Sequence, residues 1–267
     1  MNPYSNPGSL MPMATGFWIK CAYANHACIP NTIRTFMGTH QIVRASCHIP
    51  AGTELTTQYI KPEANLDRRQ ERFRYGWGFE CDCWFCISEK ASSLEARQNR
   101  SALFEQIHKE AMGNSRPGSV PSSATIRKVE KMTRQLEQLY EPDIYSSLPR
   151  LLLIQPGLWL AESYRSRKNY LKMLKYAQSS LRNFGLLDPI WDEKGRLRLD
   201  RTMVNIESVR LLNYVSEANA ALGNEDLAKR FKEEAKLGYI MITGSEIGIE
   251  RLEFILSPPI GSKMGPK

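Results

Sequence analysis

Long apolar runs are missing from these 267 residues. The longest blocks resemble Leu151 to Ile154, far short of the roughly 18 residues that a membrane-spanning helix requires. Cysteine is confined as well as scarce: there are six, and none follows Cys86. A secreted disulfide scaffold would be shorter and would distribute its cysteines. The opening MNPYSNPGSLMPM lacks the basic and then continuously apolar pattern of a signal peptide, so a reducing intracellular compartment is expected. No GxSxG, HExxH, Walker or Rossmann pattern occurs, which removes the usual serine-hydrolase, metalloprotease and nucleotide-binding readings. Charge of one sign is not concentrated either. The excess of 36 basic over 28 acidic residues, net +8, is spread over segments such as 68–74 and 127–134. It favours acidic partners without supplying a nucleic-acid arm. What remains is an ordinary globular composition, 42% apolar and 24% charged with a mean hydropathy of -0.41.

Two compositions meet near residue 88. Before it lie short β-like pieces, turns and every cysteine; after it lie long helical patterns with few turn signals. Residues 1–15, rich in Pro, Met, Asn and Ser, read as a loose leader. Segments 32–36 and 41–45 read as strands joined at Gly38, and 54–60 (ELTTQYI) as a third strand closed by Pro62. Segment 67–75 reads as a short basic helix capped by Asn65 or Asp67 and stopped at Gly76, with Arg68, Arg69, Arg72 and Arg74 on a solvated face. Helices are predicted over 90–111, 123–140, 157–166, 169–184, 199–221, 225–242 and 245–256, with a linker at 113–124 (GNSRPGSVPSSA). In 157–184, Leu160, Ala161, Tyr164, Tyr170, Tyr176 and Leu181 follow much of the tetratricopeptide pattern. Gly223, Ala228 and Ala235 take small-residue positions of a second pair.

The sharpest chemical signal is CDCWFC, which puts Cys81, Cys83 and Cys86 within six residues. Zn²⁺ takes four ligands at a Zn–S distance of about 2.3 Å, so these thiols look like most of a tetrahedral site. Spacing leaves the fourth ligand open among Cys28, Cys47, Cys21 and a histidine. The second signal is NHACIPN, 25–31, where Cys28 stands beside His26. Cys21 and Cys47 read as small buried residues, His40 and His48 as loop or strand-edge residues, and His108 as a helix-face residue.

Taken in order, NHACIPN, HIPAGTELTTQYI and RRQERFRYGWGFECDCWFC resemble the C-terminal half of a SET domain and its cysteine-rich post-SET segment. The spacing is most similar to the SET-and-MYND lysine methyltransferases and related fungal proteins, whose post-SET segment is followed by a tetratricopeptide-like domain. Ala27 stands where the family has serine, and Gln58 where it has aspartate. The resemblance implies an α+β fold with leader 1–15, partial SET domain 16–62, post-SET zinc segment 63–89, helical tetratricopeptide-like domain 90–256 and tail 257–267. It also implies roles: Asn25 and His26 for holding S-adenosylmethionine, Phe79 for packing on the adenine, Trp77 and Tyr59 for the lysine channel, and Tyr59 at the methyl-transfer centre. Cys28 becomes the fourth ligand of one structural zinc with Cys81, Cys83 and Cys86. Gly16-Phe17-Trp18 resembles the turn and strand leading to the asparagine–histidine motif.

The activity implied is methyl transfer from S-adenosylmethionine to a lysine of a histone or other protein, in the nucleus or cytoplasm, with a possible protein partner on the helical domain. The family's glycine-containing cofactor loop and MYND insert have no counterpart in the residues before Asn25. The chain alone is therefore expected to behave as a truncated member, weak or inactive. The rival expectation is a non-catalytic, zinc-stabilised interaction protein.

Overall fold

The computed structural model describes residues 16–62, 64–113, 120–186, 191, 193, 197–198 and 202–245. The leader 1–15, the linker residues 114–119, the helix expected over 245–256 beyond Ser245 and the tail 257–267 lie outside the described residues.

The cysteine-bearing part comes first. After a single-turn helix α1 (Ile19–Ala22), strand β1 (Asn25–His26) pairs in parallel with β4 (Thr56–Thr57), with Asn25 opposite Thr56 and His26 opposite Thr57. Between them β2 (Thr32–Met37) and β3 (His40–Ala45) form an antiparallel hairpin. Gly38, at φ +57°, takes the first central position of its two-residue turn, where a side chain would be strained. The strand expected over 54–60 is only Thr56–Thr57. Its flanks bond instead to side chains: the Glu54 carbonyl accepts from Asn31 Nδ2 at 2.8 Å, and the Tyr59 N–H donates to His26 Nδ1 at 3.1 Å. Segment 16–18 is not a strand but leads into α1.

Helix α2 (Leu66–Trp77) is capped by Asn65, whose side chain accepts from the Arg68 N–H, and runs one residue past Gly76. It stops at Gly78, which adopts the left-handed conformation at φ +73° and donates its N–H to the Arg74 carbonyl at 3.1 Å. Its buried stripe is Leu66, Arg69, Gln70 and Phe73, the i, i+3, i+4, i+7 face. Arg69 is therefore inside, not on the solvated face expected of the basic cluster; Arg68, Arg72 and Arg74 are exposed. Helix α3 (Trp84–Lys90) follows with Cys83 as its cap residue. Cys21 and Cys47 are half-buried rather than buried, and the His108 ring stacks on Phe104.

Helices dominate the remainder: α4 (Leu94–Gly113), α5 (Ser123–Gln138), α6 (Pro142–Tyr145), a 3-10 turn (Leu151–Leu153), α7 (Ile154–Ser166), α8 (Tyr170–Asn183), α9 (Ile206–Ala221) and α10 (Glu225–Thr243). Among the described residues the one extended pairing here is an isolated Trp191–Leu197 bridge. The helix expected from 199 begins at Ile206, because Asn205 and Ser208 form a capping box that fixes its start. Helices α7 to α10 pack in succession, each on the next. Short turns at 167–169 and 222–224 make α7–α8 and α9–α10 antiparallel pairs. Lys168, at φ +55°, and Asn169, whose side chain accepts from the Lys172 N–H, shape the first turn.

Several contacts among the described residues tie the two regions together. Arg97 forks onto Asp67 at 3.0 and 3.2 Å, Lys61 pairs with Glu207, and Arg44 of β3 donates to the Gly244 carbonyl at the end of α10.

Candidate metal centre and its aromatic cleft

Cys28 leaves β1 on a buried loop, while Cys81, Cys83 and Cys86 approach along the α2–α3 connection and the first turn of α3. The four sulfurs lie within 4.8 Å of one another. Cys28 Sγ is 3.5 Å from Cys86 Sγ and 4.0 Å from Cys81 Sγ. Four thiols converging from two segments 53 residues apart match the donor set of a structural zinc site, and the cluster can hold zinc. Cys21 and Cys47 are not in it.

Neighbouring side chains fix this geometry. Gln70 grips Cys81 by both backbone groups: its Oε1 accepts from the Cys81 N–H at 2.8 Å and its Nε2 donates to the Cys81 carbonyl at 2.9 Å. Gln58 Nε2 donates to the Cys28 carbonyl at 3.0 Å. Because the Tyr59 N–H donates to His26 Nδ1, the ring proton sits on Nε2, 3.5 Å from Cys28 Sγ. Fully buried Arg69 donates to Cys86 Sγ at 3.6 Å and pairs with buried Glu89. The thiols do not ionise alike. The contact between Cys28 and Cys81 is the largest influence on both, pushing Cys28 above the ordinary thiol range and Cys81 below it. Cys83 is lowered to about 6, chiefly by its contact with Cys28. A cation entering such a cluster displaces the remaining protons.

The cluster opens onto a cleft of about 1020 Å³ whose walls include Asn25, His26, Tyr59, Trp77, Phe79 and Trp84. Its aromatic part is layered. Buried Phe73 stacks on Phe79 at 5.2 Å between centroids and touches the His26 ring at 4.3 Å. Tyr59 lies 5.3 Å from His26 and 6.1 Å from Trp77, which is 46% exposed. The left-handed turn at Gly78 separates Trp77 from half-buried Phe79. The Tyr59 hydroxyl donates to the Ala24 carbonyl at 2.9 Å. Exposed Asn25 donates from Nδ2 to Glu54 Oε1 at 2.6 Å.

Of the residues singled out from the sequence, Asn25, His26, Tyr59, Trp77 and Phe79 line one cleft and Cys28, Cys81, Cys83 and Cys86 form the cluster beside it, whereas Cys21, His40 and His108 lie in neither. Arg69, Gln70, Phe73, Gln58 and Glu54 escaped that reading. For Arg69 and Gln70 the available signal was their place in the apolar stripe of α2, where polar side chains must find buried partners.

Residues 4–60 match the family model of the SET domain. That match begins well upstream of the motifs at 25–31. The relatives include lysine methyltransferases of the SET5 and SMYD type. A methyltransferase of Gibberella zeae is 32% identical over 128 residues, 47% of this chain and 16% of the relative. The histone-lysine N-methyltransferase SET5 of Yarrowia lipolytica is 40% identical over 80 residues, 29% of this chain and 18% of the relative. The mouse histone-lysine N-methyltransferase SMYD3 is 34% identical over 80 residues, 30% of this chain and 19% of the relative. The chain therefore matches less than a fifth of the length of each of these three proteins. No helix among the described residues is long and apolar enough to cross a membrane.

Proposed function

We propose that this chain carries the lysine-facing wall of an S-adenosylmethionine-dependent protein lysine methyltransferase, clamped by one structural zinc. The observation that supports this best is the coupling of the four-cysteine cluster to the loop bearing Trp77 and Phe79, opposite Tyr59 and His26. Cys28, Cys81, Cys83 and Cys86 would hold the zinc. Asn25, His26 and Phe79 would hold the cofactor, on the strength of an aromatic face and polar groups lining a cleft of about 1020 Å³.

Bound S-adenosylmethionine supplies an electrophilic methyl group on its sulfonium. The protein's task is to present an uncharged lysine amine in line with it. The aromatic wall formed by Trp77 and Tyr59 disfavours the ammonium form by desolvation. The Tyr59 hydroxyl, its proton given to the Ala24 carbonyl, keeps oxygen lone pairs to accept from an incoming amine. Histones are among the substrates in the names of the relatives, which makes a lysine-bearing histone or other nuclear or cytoplasmic protein the proposed substrate. The packing succession of α7 to α10 supports reading these helices as tetratricopeptide-like pairs, a scaffold on which a protein partner would dock.

Titration of the 267-residue chain with S-adenosylmethionine, followed through Trp77 fluorescence and a radiolabelled methyl-transfer assay on histones, tests the proposal. Because Asn25 is already engaged by Glu54, the expected result is weak binding that still perturbs Trp77 and disappears in Trp77→Phe. Turnover abolished by Tyr59→Phe would make this chain a complete enzyme. A cofactor that never perturbs Trp77, even at millimolar concentration, would leave the non-catalytic interaction protein as the better reading.

A further inference from the structure

Arg69 is an expensive residue to place in a helix interior. It is 0% exposed, its guanidinium lies over the Phe85 ring at 5.0 Å, and its ionic partner Glu89 is itself buried. Replacing a buried ion pair by apolar residues often costs nothing, so the pair alone does not account for its presence. The same Nη2 that meets Glu89 also donates to Cys86 Sγ at 3.6 Å, on the buried side of the cysteine cluster. Four thiolates around a divalent cation sum to a net charge of −2, and Glu89 adds another negative charge nearby. Among the described residues the cationic side chain hydrogen-bonded to the cluster is Arg69.

We propose that Arg69 is the charge-compensating donor of the cysteine centre: its N–H···S bond to Cys86 sets how tightly the centre holds its metal, and Glu89 orients the guanidinium for that contact. This rests on the reading that Cys28, Cys81, Cys83 and Cys86 bind zinc. It separates Arg69 from a purely structural partner of Glu89 by a charge argument. A structural partner is dispensable once Glu89 is also gone; a compensating cation is not. Outer-shell partners of this kind typically change metal affinity by about 10- to 100-fold.

The test uses the full chain as wild type, Arg69→Met/Glu89→Met, Glu89→Gln and Arg69→Lys. Zinc content and affinity are measured by competition with a chromophoric chelator, and the thiolate-to-metal charge-transfer band is read after cobalt substitution. Wild type should carry one zinc. The double variant should keep its helical circular dichroism and thermal midpoint, hold zinc about 10- to 100-fold more weakly, and shift its cobalt band to lower energy. Arg69→Lys, which keeps the charge without the planar fork, should fall between. Glu89→Gln should bind zinc at least as tightly as wild type, because it removes a negative charge beside the centre; this arm decides even where the double variant does not fold. A double variant with unchanged affinity and band, or a Glu89→Gln protein as weak as the double variant, overturns the role of Arg69 and leaves the zinc site standing. Wild-type protein without zinc overturns both.

Discussion

Gln70 occupies a position in α2 that an apolar residue would fill if packing were the only demand. It is there because the Cys81 N–H and carbonyl are buried and need partners, and one amide serves both at 2.8 and 2.9 Å. Gln70→Leu should strand both groups, costing about 2–4 kcal/mol of stability and weakening zinc retention. Chemical denaturation with and without chelator distinguishes the two losses. Glu130 makes a prediction of opposite chemistry. Burial pushes its carboxyl up, but hydrogen bonds from Tyr164, Tyr176 and Lys172 outweigh that and hold it below the ordinary carboxylate range. The Tyr176 hydroxyl is 2.8 Å away and Lys172 Nζ 3.1 Å. A depressed folded-state pKa stabilises fully above the ordinary range, and the contribution is lost as pH falls through it. Glu130→Gln should therefore be less stable than wild type at pH 7, by about 1 kcal/mol, and the gap should close in acid. Thermal midpoints across pH check this, and a gap independent of pH would sink it.

At the scale of elements, propensity and packing disagree at Gly157 in α7. Glycine in a helix interior costs about 1 kcal/mol against alanine, so Gly157→Ala would stabilise an isolated helix. Here an added Cβ would meet Ser180 Oγ of α8 at 2.0 Å, with Ser180 Cβ at an ordinary 3.4 Å. Gly157→Ala should thus destabilise by about 1–3 kcal/mol, and Gly157→Ala/Ser180→Ala should recover most of the loss, because only the hydroxyl is in the way. Thermal unfolding of the two single variants and the double variant measures that coupling. Gly238 repeats the device between α10 and α9, where a Cβ would meet Val209 Cγ2 at 2.8 Å.

Over the whole molecule the cysteine cluster joins the β1 loop to α2 and α3, whereas α7 to α10 bury Leu160, Ala177, Val215 and Ala235 without its help. Removing metal with a strong chelator, or changing Cys28 to Ser, should release the Trp77–Phe79 loop and alter tryptophan fluorescence while most far-ultraviolet helicity persists. Loss of both signals in one transition would show the two regions to be a single cooperative unit. Limited proteolysis complements this. The Pro121 carbonyl and Ser123 are held by Arg167 at 2.6 and 2.9 Å, so the first internal cut is expected on the Gly113 side of Pro121, in a stretch rich in Gly, Ser and Pro.

The local content of this protein was legible in its sequence, because local signals have local causes. Periodic apolar residues announced α5, α7, α8 and α10 to within a few residues, CxCxxC announced three thiols on one short segment, and Asn65 was one of two caps offered for α2, Asp67 being the other. The end of α2 was misread by two residues, since both Gly76 and Gly78 can stop a helix and only the folded chain shows which one turns left-handed. The strand over 54–60 shrank to two residues because flanking backbone groups found side chains, Asn31 at the Glu54 carbonyl and the His26 ring at the Tyr59 N–H, partners that no β-propensity anticipates. Arg69 was misassigned for the same reason. A cation in a basic run reads as solvated until the fold brings a carboxylate and a sulfur to it from segments 17 and 20 residues away. Residue types and periodicity set the elements and the donor atoms; tertiary structure alone decided which donors meet, because burial makes each polar group's partner a matter of three-dimensional proximity rather than of spacing along the chain.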